Sequence, residues 1–228
     1  MIFTTESATS SIEELLMSYP HLELMEPEEN SIRLHGTILV HRSVQDFTLR
    51  KEYLLDIIIP INSDKLPFVI DADRVIDPTY HHYYSNSGKL CLETDTAIHI
   101  RFLNGFNLLQ WMDEFVEPYF VNYEYYRKYG TFPLGERSHS CIGVLETYQE
   151  MFHVQDIHTA FCIMSHVKNN NYDGHQLCPC GSKRFIRKCH SKWILPFYNN
   201  PHLNALLLSD LDAIIEEIKT YDTERDSN

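Results

Sequence analysis

Apolar residues near the start of the chain recur at the spacing of a helix. Ile12, Leu15 and Leu16 follow serines and glutamates that form a capping box, so we expect a short helix that ends near Pro20. The stretch 106–120 repeats the helical spacing. We expect this second, longer amphipathic helix to pack on the back of a sheet.

Between these two helices the period of the pattern changes to two, which is the spacing of strands. A half-buried strand is predicted where apolar residues alternate with polar ones, at Ile32, Leu34, Ile38 and Val40. Two further extended runs follow, at 47–60 and 66–70, and Pro67 opens the second of them. Three consecutive strands joined by short polar turns indicate an antiparallel meander.

Helical spacing returns in the second half of the chain. Three helices are predicted, at about 142–152, 157–167 and 203–218. The polar, glycine-ended run at 169–174 is the best candidate for a linker. The order of helix, strands, loop and helices predicts an α+β fold, and the linker divides the chain into a main domain, 1–168, and a C-terminal module, 169–228.

Size and composition predict a soluble globular protein. The chain has 228 residues, of which 43% are hydrophobic, enough for one sizeable core. No run approaches the roughly 18 apolar residues of a membrane helix, and the first residues lack a basic start followed by an apolar run. We therefore expect a cytoplasmic protein with no membrane contact.

The net charge of −13 argues against nucleic-acid binding, because phosphate contacts require a surplus of lysine and arginine. One basic island interrupts this acidity, at Lys183, Arg184, Arg187, Lys188 and Lys192. A local contact with an anion or an acidic partner at this island remains open. Nothing in the sequence indicates an oligomeric state.

The run from Gly88 to Leu92 points most directly to chemistry. A glycine turn delivers Cys91 at the end of an apolar strand, and the pair His81 and His82 precedes it. A thiol is both a nucleophile and a leaving group, so it can accept an acyl group from one thioester and pass it on. This pattern favours acyl-thioester chemistry at Cys91.

The segment 67–92, with the elements around it, resembles the ubiquitin-conjugating enzymes. The shared features are a leading helix, a strand meander, a histidine-bearing loop, Gly-x-x-Cys-Leu and a long following helix. That family carries His-Pro-Asn ten residues before its cysteine, where this chain has His81, His82 and Tyr83. Only the first histidine agrees, and Asn86 in the same loop is a candidate to supply the missing amide.

Paired histidines followed by Gly-x-Leu-Cys-Leu are similar to the bacterial conjugating-enzyme components of antiphage operons that signal through cyclic oligonucleotides. The stretch 132–139 strengthens this resemblance, which covers about 13–152. It implies a transferase that carries a protein C-terminus as a thioester on Cys91 and passes it to an amine. It also implies a cGAS-like cyclic-oligonucleotide synthase as the carried or modified protein.

The residues that would assist Cys91 stay undecided at this point. His81 and His82 before it, and Glu93, Asp95 and His99 after it, are candidates to deprotonate an attacking amine. His139 is better explained as part of a turn at a helix start. The sequence contains no glycine-rich nucleotide loop, so we expect another protein to activate the carboxylate, unless the carboxylate is already activated or cleaved.

The motif of highest specificity lies near the C-terminus. Cys178 and Cys180 surround a proline, and Gly181 and Ser182 follow. Six residues then separate Ser182 from Cys189 and His190. This pattern resembles the SEC-C motif, a short zinc-binding element of bacterial proteins. Three thiolates and one imidazole complete a tetrahedral site and leave no position for a catalytic water, so the expected cofactor is structural Zn²⁺.

Three classes of function compete. The leading class is the ubiquitin-conjugating-like acyl carrier at Cys91. The second is a catalytically silent adaptor that keeps the fold and binds protein partners, which the absence of an asparagine at Tyr83 favours. The third and weakest is a nucleotide or nucleic-acid binder centred on the basic island of the zinc module.

Overall fold

The computed structural model describes residues 5–26, 28–133, 135, 138 and 140–226. The chain forms two compact units by contact. We call Met1–Asp95 with Arg101–Glu136 the sheet unit, and Thr96–Ile100 with Arg137–Asn228 the helical unit. The architecture is α+β with an antiparallel sheet, which confirms the predicted class at that level.

The sheet unit contains one six-stranded sheet with the order β1-β2-β3-β4-β6-β5. The strands are β1 (Leu22–Leu24), β2 (Ser31–Val44), β3 (Phe47–Pro60), β4 (Phe68–Asp71), β5 (Tyr83–Tyr84) and β6 (Lys89–Leu90). Neighbouring strands pair antiparallel, with Leu34 opposite Ile57 and Ile57 opposite Val69. The predicted meander of three strands is confirmed as β2, β3 and β4.

One face of the sheet is buried because every second side chain of its long strands is apolar. Leu34, Ile38, Leu55 and Ile57 have almost no exposed surface. The helices of this unit are α1 (Thr5–Ser18), α3 (Leu108–Trp111) and α4 (Glu117–Tyr129), with a π-helical stretch at Met112–Val116 between the last two. The single long helix predicted over 106–120 is thus three consecutive helical segments.

Helix α4 packs on the sheet through aromatic contacts. The ring of Tyr53 on β3 stacks on that of Phe120 on α4, with centroids 4.0 Å apart. Proline enters α4 in its first turn, and Gly130 ends it in the left-handed conformation. This packing fixes the helix that supports the cysteine loop.

The helical unit contains the last helices of the chain and a short piece of an earlier one. The helices are α5 (Ser140–Phe152), α6 (Ile157–Asn169), α7 (Ser191–Asn199) and α8 (Pro201–Asp226), with a 3-10 turn at Ile186–Lys188. Helix α2 (Asp95–Arg101) supplies residues 96–100. One core joins α5 and α6 to the C-terminal elements, through buried Phe152, Met164, Ile186, Ile194 and Leu207.

This shared core differs from the predicted division into 1–168 and 169–228. Helices α5 and α6 bury their apolar faces against α7, α8 and the cysteine-rich loop, so they form one compact unit with the C-terminal residues. Periodicity identifies an apolar helix face but does not specify which partner covers it. The polar run at 169–174 therefore lies within the helical unit.

Polar contacts hold residues 96–100 in the helical unit. The Tyr148 hydroxyl donates to Asp210 Oδ2 at 2.9 Å, and the buried Thr96 hydroxyl donates to the same oxygen. His202 Nε2 lies 3.2 Å from His99 Nδ1. Because Thr96 and His99 are both buried, these contacts satisfy polar groups that water does not reach. His99 is thus part of this core contact.

Candidate functional site

The hairpin of β5 and β6 carries Cys91 at its end. Tyr83 pairs with Leu90 and Tyr84 with Lys89, and the turn 85–88 joins the two strands. One step beyond these pairs, the Cys91 backbone N–H donates to the carbonyl oxygen of His82 at 2.9 Å. The hairpin therefore brings Cys91 beside His82.

Alternation of side chains gives this hairpin two different faces. Tyr83 and Leu90 point into the core and are only 8% and 2% exposed. Their neighbours point to the opposite face, which Tyr84 shows because it is 56% exposed. We call this second face the outer face of the hairpin; it carries His82, Tyr84, Lys89 and Cys91.

The Tyr84 side chain lies on the same face of the hairpin as the Cys91 thiol. Tyr84 and Cys91 are diagonal neighbours on the outer face, and a long aromatic side chain can span the distance between such positions. Burial raises the pKa of the Cys91 thiol, and the Tyr84 hydroxyl opposes that rise. The nearby carboxylates of Glu93 and Asp95 raise the pKa, whereas the Lys89 ammonium lowers it.

Arg74 fixes the turn of the hairpin. Its guanidinium donates to the carbonyl oxygens of Ser85 at 2.8 Å and Ser87 at 2.9 Å. Gly88 has φ +78°, and a Cβ there would lie 2.7 Å from Arg74 Cζ. A side chain at residue 88 would strain the backbone and displace Arg74, which explains why glycine stands before the strand that leads to Cys91.

Aromatic residues enclose the loop that holds His82. The Tyr119 hydroxyl on α4 donates to the His82 carbonyl oxygen at 3.0 Å. The His82 ring lies against those of Tyr80 and Phe132, with centroids 5.7 and 5.8 Å away. The His82 carbonyl thus accepts from both Tyr119 and Cys91, which couples the cysteine to the supporting helix.

The structure separates the predicted site residues. The backbones of His82 and Cys91 are hydrogen-bonded. His81, which precedes His82 in the loop, is exposed. Asn86 is exposed at the turn, the end of the hairpin opposite Cys91. Tyr83, at the position of the family asparagine, is buried, and its hydroxyl has no hydrogen-bond partner in the described part of the chain. His139 lies outside the described residues.

Sequence reasoning missed Tyr84, Arg74 and Tyr119. A signal for Tyr84 exists in the sequence, since a four-residue turn that ends at Gly88 would pair residue 84 with 89 and place it on the face of Cys91. For Arg74 and Tyr119 the sequence gives no comparable signal. Their contacts join segments that are distant along the chain, and no local pattern specifies them.

A second cluster lies in the helical unit. An isolated bridge between Leu177 and Phe185 closes a loop, and the Cys178 backbone N–H donates to the Arg184 carbonyl at 2.8 Å. Gly181 turns this loop with φ +76°, a conformation that favours glycine. The 3-10 turn that follows delivers Cys189 and His190 back to Cys178 and Cys180.

The four predicted ligands lie close together and can bind a metal. Their donor atoms are all within 4.8 Å of one another. His190 Nδ1 lies 3.2 Å from the Cys178 and Cys189 sulfurs, and the Cys180 and Cys189 sulfurs are 3.6 Å apart. Tetrahedral zinc requires about 3.8 Å between two sulfurs and about 3.5 Å between a sulfur and a nitrogen. The residues fit such an ion with small adjustments.

Four residues of the basic island lie between Cys180 and Cys189 in the chain, and the two arginines among them have partners within the loop. Arg187 Nη1 lies 3.1 Å from His175 Nε2, and its guanidinium lies over the Phe185 ring. Arg184 donates to the Lys188 carbonyl oxygen. These contacts give both arginines a role in holding the loop around the four ligands.

Comparison of the chain with protein-family models, with curated proteins and with solved structures finds no match in any of the three. Among the described residues, the length and apolar character that a membrane crossing requires do not occur together in any helix. The geometry of the hairpin and of the cysteine cluster is therefore the basis for the functional conclusion.

Proposed function

We propose that the protein is a ubiquitin-conjugating-like acyl carrier in which Cys91 holds a protein C-terminus as a thioester. The observation that carries this proposal is the position of Cys91 on the outer face of the hairpin, beside His82 and on the same face as Tyr84. A structural cysteine would share the inner face with Tyr83 and Leu90, which are buried.

The first step is an exchange between thioesters. The Cys91 thiolate attacks the carbonyl carbon of a thioester on a donor protein, a new C–S bond forms, and the donor's C–S bond breaks. The donor sulfur leaves as a thiolate and takes up the proton that Cys91 gave to solvent. This step requires no oxidant or nucleotide, so ATP is consumed only where the donor thioester is made.

The second step transfers the acyl group to an amine. A C–N bond forms, the C–S bond to Cys91 breaks, and the amine loses a proton. Glu93 and Asp95 lie near enough to Cys91 to raise its pKa by their charge. Carboxylates at that position attract a lysine ammonium and can accept the proton it releases.

The resemblance to conjugating-enzyme components of antiphage operons suggests the partner. We propose a cGAS-like cyclic-oligonucleotide synthase as the protein that is carried or modified, with transfer adjusting its level or activity in bacterial defence. The α+β arrangement of a leading helix, a meander, the cysteine hairpin and a supporting helix supports the finer assignment of a ubiquitin-conjugating-like fold.

For the cysteine cluster we propose a structural Zn²⁺ ion. Cys178, Cys180, Cys189 and His190 would hold it, and they fill all four tetrahedral positions. When bound, the ion would crosslink the loop to the start of α7. Because Cys178 also belongs to the core of the helical unit, the ion would stabilise that whole unit rather than an isolated segment.

Co-expression with the proteins encoded beside it tests the proposed acyl transfer. The wild type is expected to show a covalent adduct on non-reducing gels that disappears with excess thiol, and Cys91→Ala is expected to lack it. Cys141→Ala is the matched control, since Cys141 is half-buried in the helical unit, and it should keep the adduct.

One observation favours the silent adaptor as a second candidate. The side chain at the family's asparagine position, Tyr83, points into the core and cannot donate to an oxyanion at Cys91. Under this alternative a partner co-purifies with the wild type without any adduct, and Cys91→Ala retains the partner equally well.

A further inference from the structure

We propose that Tyr84 is a catalytic residue of this site, whose hydroxyl donates a hydrogen bond to the Cys91 sulfur and stabilises it as a thiolate. The inference rests on the proposed function in assigning Cys91 the acyl group. Its physical content, control of the thiol by Tyr84, concerns the chain alone and can be measured without a donor or an acceptor.

The register of the hairpin provides the geometric basis. Tyr84 pairs with Lys89, and residue 82 faces residue 91, so Tyr84 and Cys91 are diagonal neighbours on the outer face. The hydrogen bonds of Arg74 and Tyr119 do not involve the Tyr84 side chain. They hold the backbone on either side of Tyr84. The strand that carries the aromatic ring is therefore fixed at both ends, and the ring lies on the face that also carries the sulfur.

The chemistry of the neighbours makes this donor necessary. Burial opposes ionisation of Cys91, and so do the carboxylates of Glu93 and Asp95. The backbone N–H of Cys91 already donates to His82 and is not directed at the sulfur. Lys89 favours the thiolate by its charge, but an ammonium in contact with solvent is screened by salt. Tyr84, a diagonal neighbour of Cys91 on the same face, has a hydroxyl that can act as a directional donor to the sulfur.

The hydrogen bond serves both halves of the reaction. In the first step it stabilises the thiolate that attacks the donor thioester. In the second step Cys91 departs as a thiolate, and the same hydroxyl stabilises it as a leaving group. Tyr84 keeps its proton throughout, because the Cys91 and Asp95 charges raise the pKa of Tyr84 together with its partial burial.

The experiment measures the rate of iodoacetamide alkylation of Cys91 against pH, resolved from the other cysteines by peptide mass spectrometry. In Tyr84→Phe the midpoint of the profile should move to higher pH, and the thiolate fraction at neutral pH should fall about three- to tenfold. The plateau rate at high pH should stay equal or rise slightly, since a more basic thiolate is a better nucleophile.

Tyr129→Phe is the matched control, because Tyr129 is also a largely exposed tyrosine of the sheet unit and its ring contacts Phe47 and Tyr125. It should leave the midpoint unchanged. A steric role for Tyr84 would instead change the plateau without moving the midpoint, and that result overturns the inference. The absence of an adduct in the wild type would contradict the proposed function but leave a shifted midpoint intact, so the two failures are distinguishable.

Discussion

The carbonyl oxygen of His82 accepts a hydrogen bond from the Cys91 backbone N–H at 2.9 Å and another from the Tyr119 hydroxyl at 3.0 Å. The first bond closes the hairpin at the cysteine, and the second ties that closure to α4. The position of the candidate nucleophile thus depends on a helix that follows it in the chain. Removing either donor should therefore affect the thiol.

Tyr119→Phe should destabilise the sheet unit by about 1 kcal/mol, because the carbonyl of the half-buried His82 loses one of its two donors. The His82 carbonyl keeps its bond to Cys91, so the loss should stay small. Equilibrium urea unfolding measures it. Tyr126→Phe is the control, since the Tyr126 ring stacks on Phe132 of the same unit. Equal stability of the two variants would show that the Tyr119 hydroxyl does not support the loop.

Gly88→Ala should cost more stability than Gly130→Ala, although both residues have φ near +70° to +80°. Each substitution carries a conformational cost of about 1 kcal/mol. At Gly88 the new Cβ also displaces the Arg74 guanidinium and breaks its bonds to Ser85 and Ser87, whereas nothing lies within 4 Å of a Cβ at Gly130. Urea unfolding of the two variants tests the difference, and an equal loss would contradict it.

The wild type should contain about one zinc ion per chain after dialysis, as measured by elemental mass spectrometry. Cys189→Ser should lose the metal and lower the melting temperature by about 10 °C or more, because the ion crosslinks a loop that belongs to the core of the helical unit. Cys162→Ser, on α6 beside His158, should retain both properties. Full zinc content in Cys189→Ser would contradict the assigned ligands.

Alkylation of Cys91 should titrate at higher pH in the folded protein than in urea, because burial raises the pKa of the folded thiol. The folded state then holds this proton more tightly than the unfolded state does. The resulting stability is fully present below the unfolded pKa and is lost as the pH rises through the folded pKa. Over that range wild-type stability should fall more steeply than that of Cys91→Ala, and parallel curves would oppose the assignment.

Asp210→Ala should destabilise the helical unit by about 1 to 3 kcal/mol, since it leaves the Thr96 and Tyr148 hydroxyls without their acceptor. Asp212→Ala is the control on the same helix, where the exposed carboxylate pairs with Lys168 at the surface. Thermal unfolding should lower the melting temperature clearly only for Asp210→Ala. A similar effect of both variants would rule out a specific role for the buried hydroxyls.

The sequence predicted the long elements well. Strand β3 begins and ends at the predicted residues, and the inward residues of β2 are those with period two. The predicted ligands Cys178, Cys180, Cys189 and His190 do meet, because short spacings within one loop leave few alternatives. These features depend on local patterns that a single sequence contains.

Other features depend on contacts between distant segments. Strands β5 and β6 have two residues each, too short to show a period, so only the turn that ends at Gly88 indicates the orientation of Tyr84. For the same reason Asn86 was a plausible partner of Cys91 in sequence, although the hairpin places it at the opposite end. The membership of α5 and α6 in the helical unit follows from which apolar faces meet.

The most direct test of the acyl carrier is the intact mass of the wild type and of Cys91→Ser after co-expression with the neighbouring proteins. The wild type should carry an adduct that survives a phosphine reductant and is released by neutral hydroxylamine, which identifies a thioester and excludes a disulfide. Cys91→Ser should carry the same added mass as a more stable oxygen ester. An adduct removed by the phosphine, or an unmodified chain with its partner bound, would contradict the account.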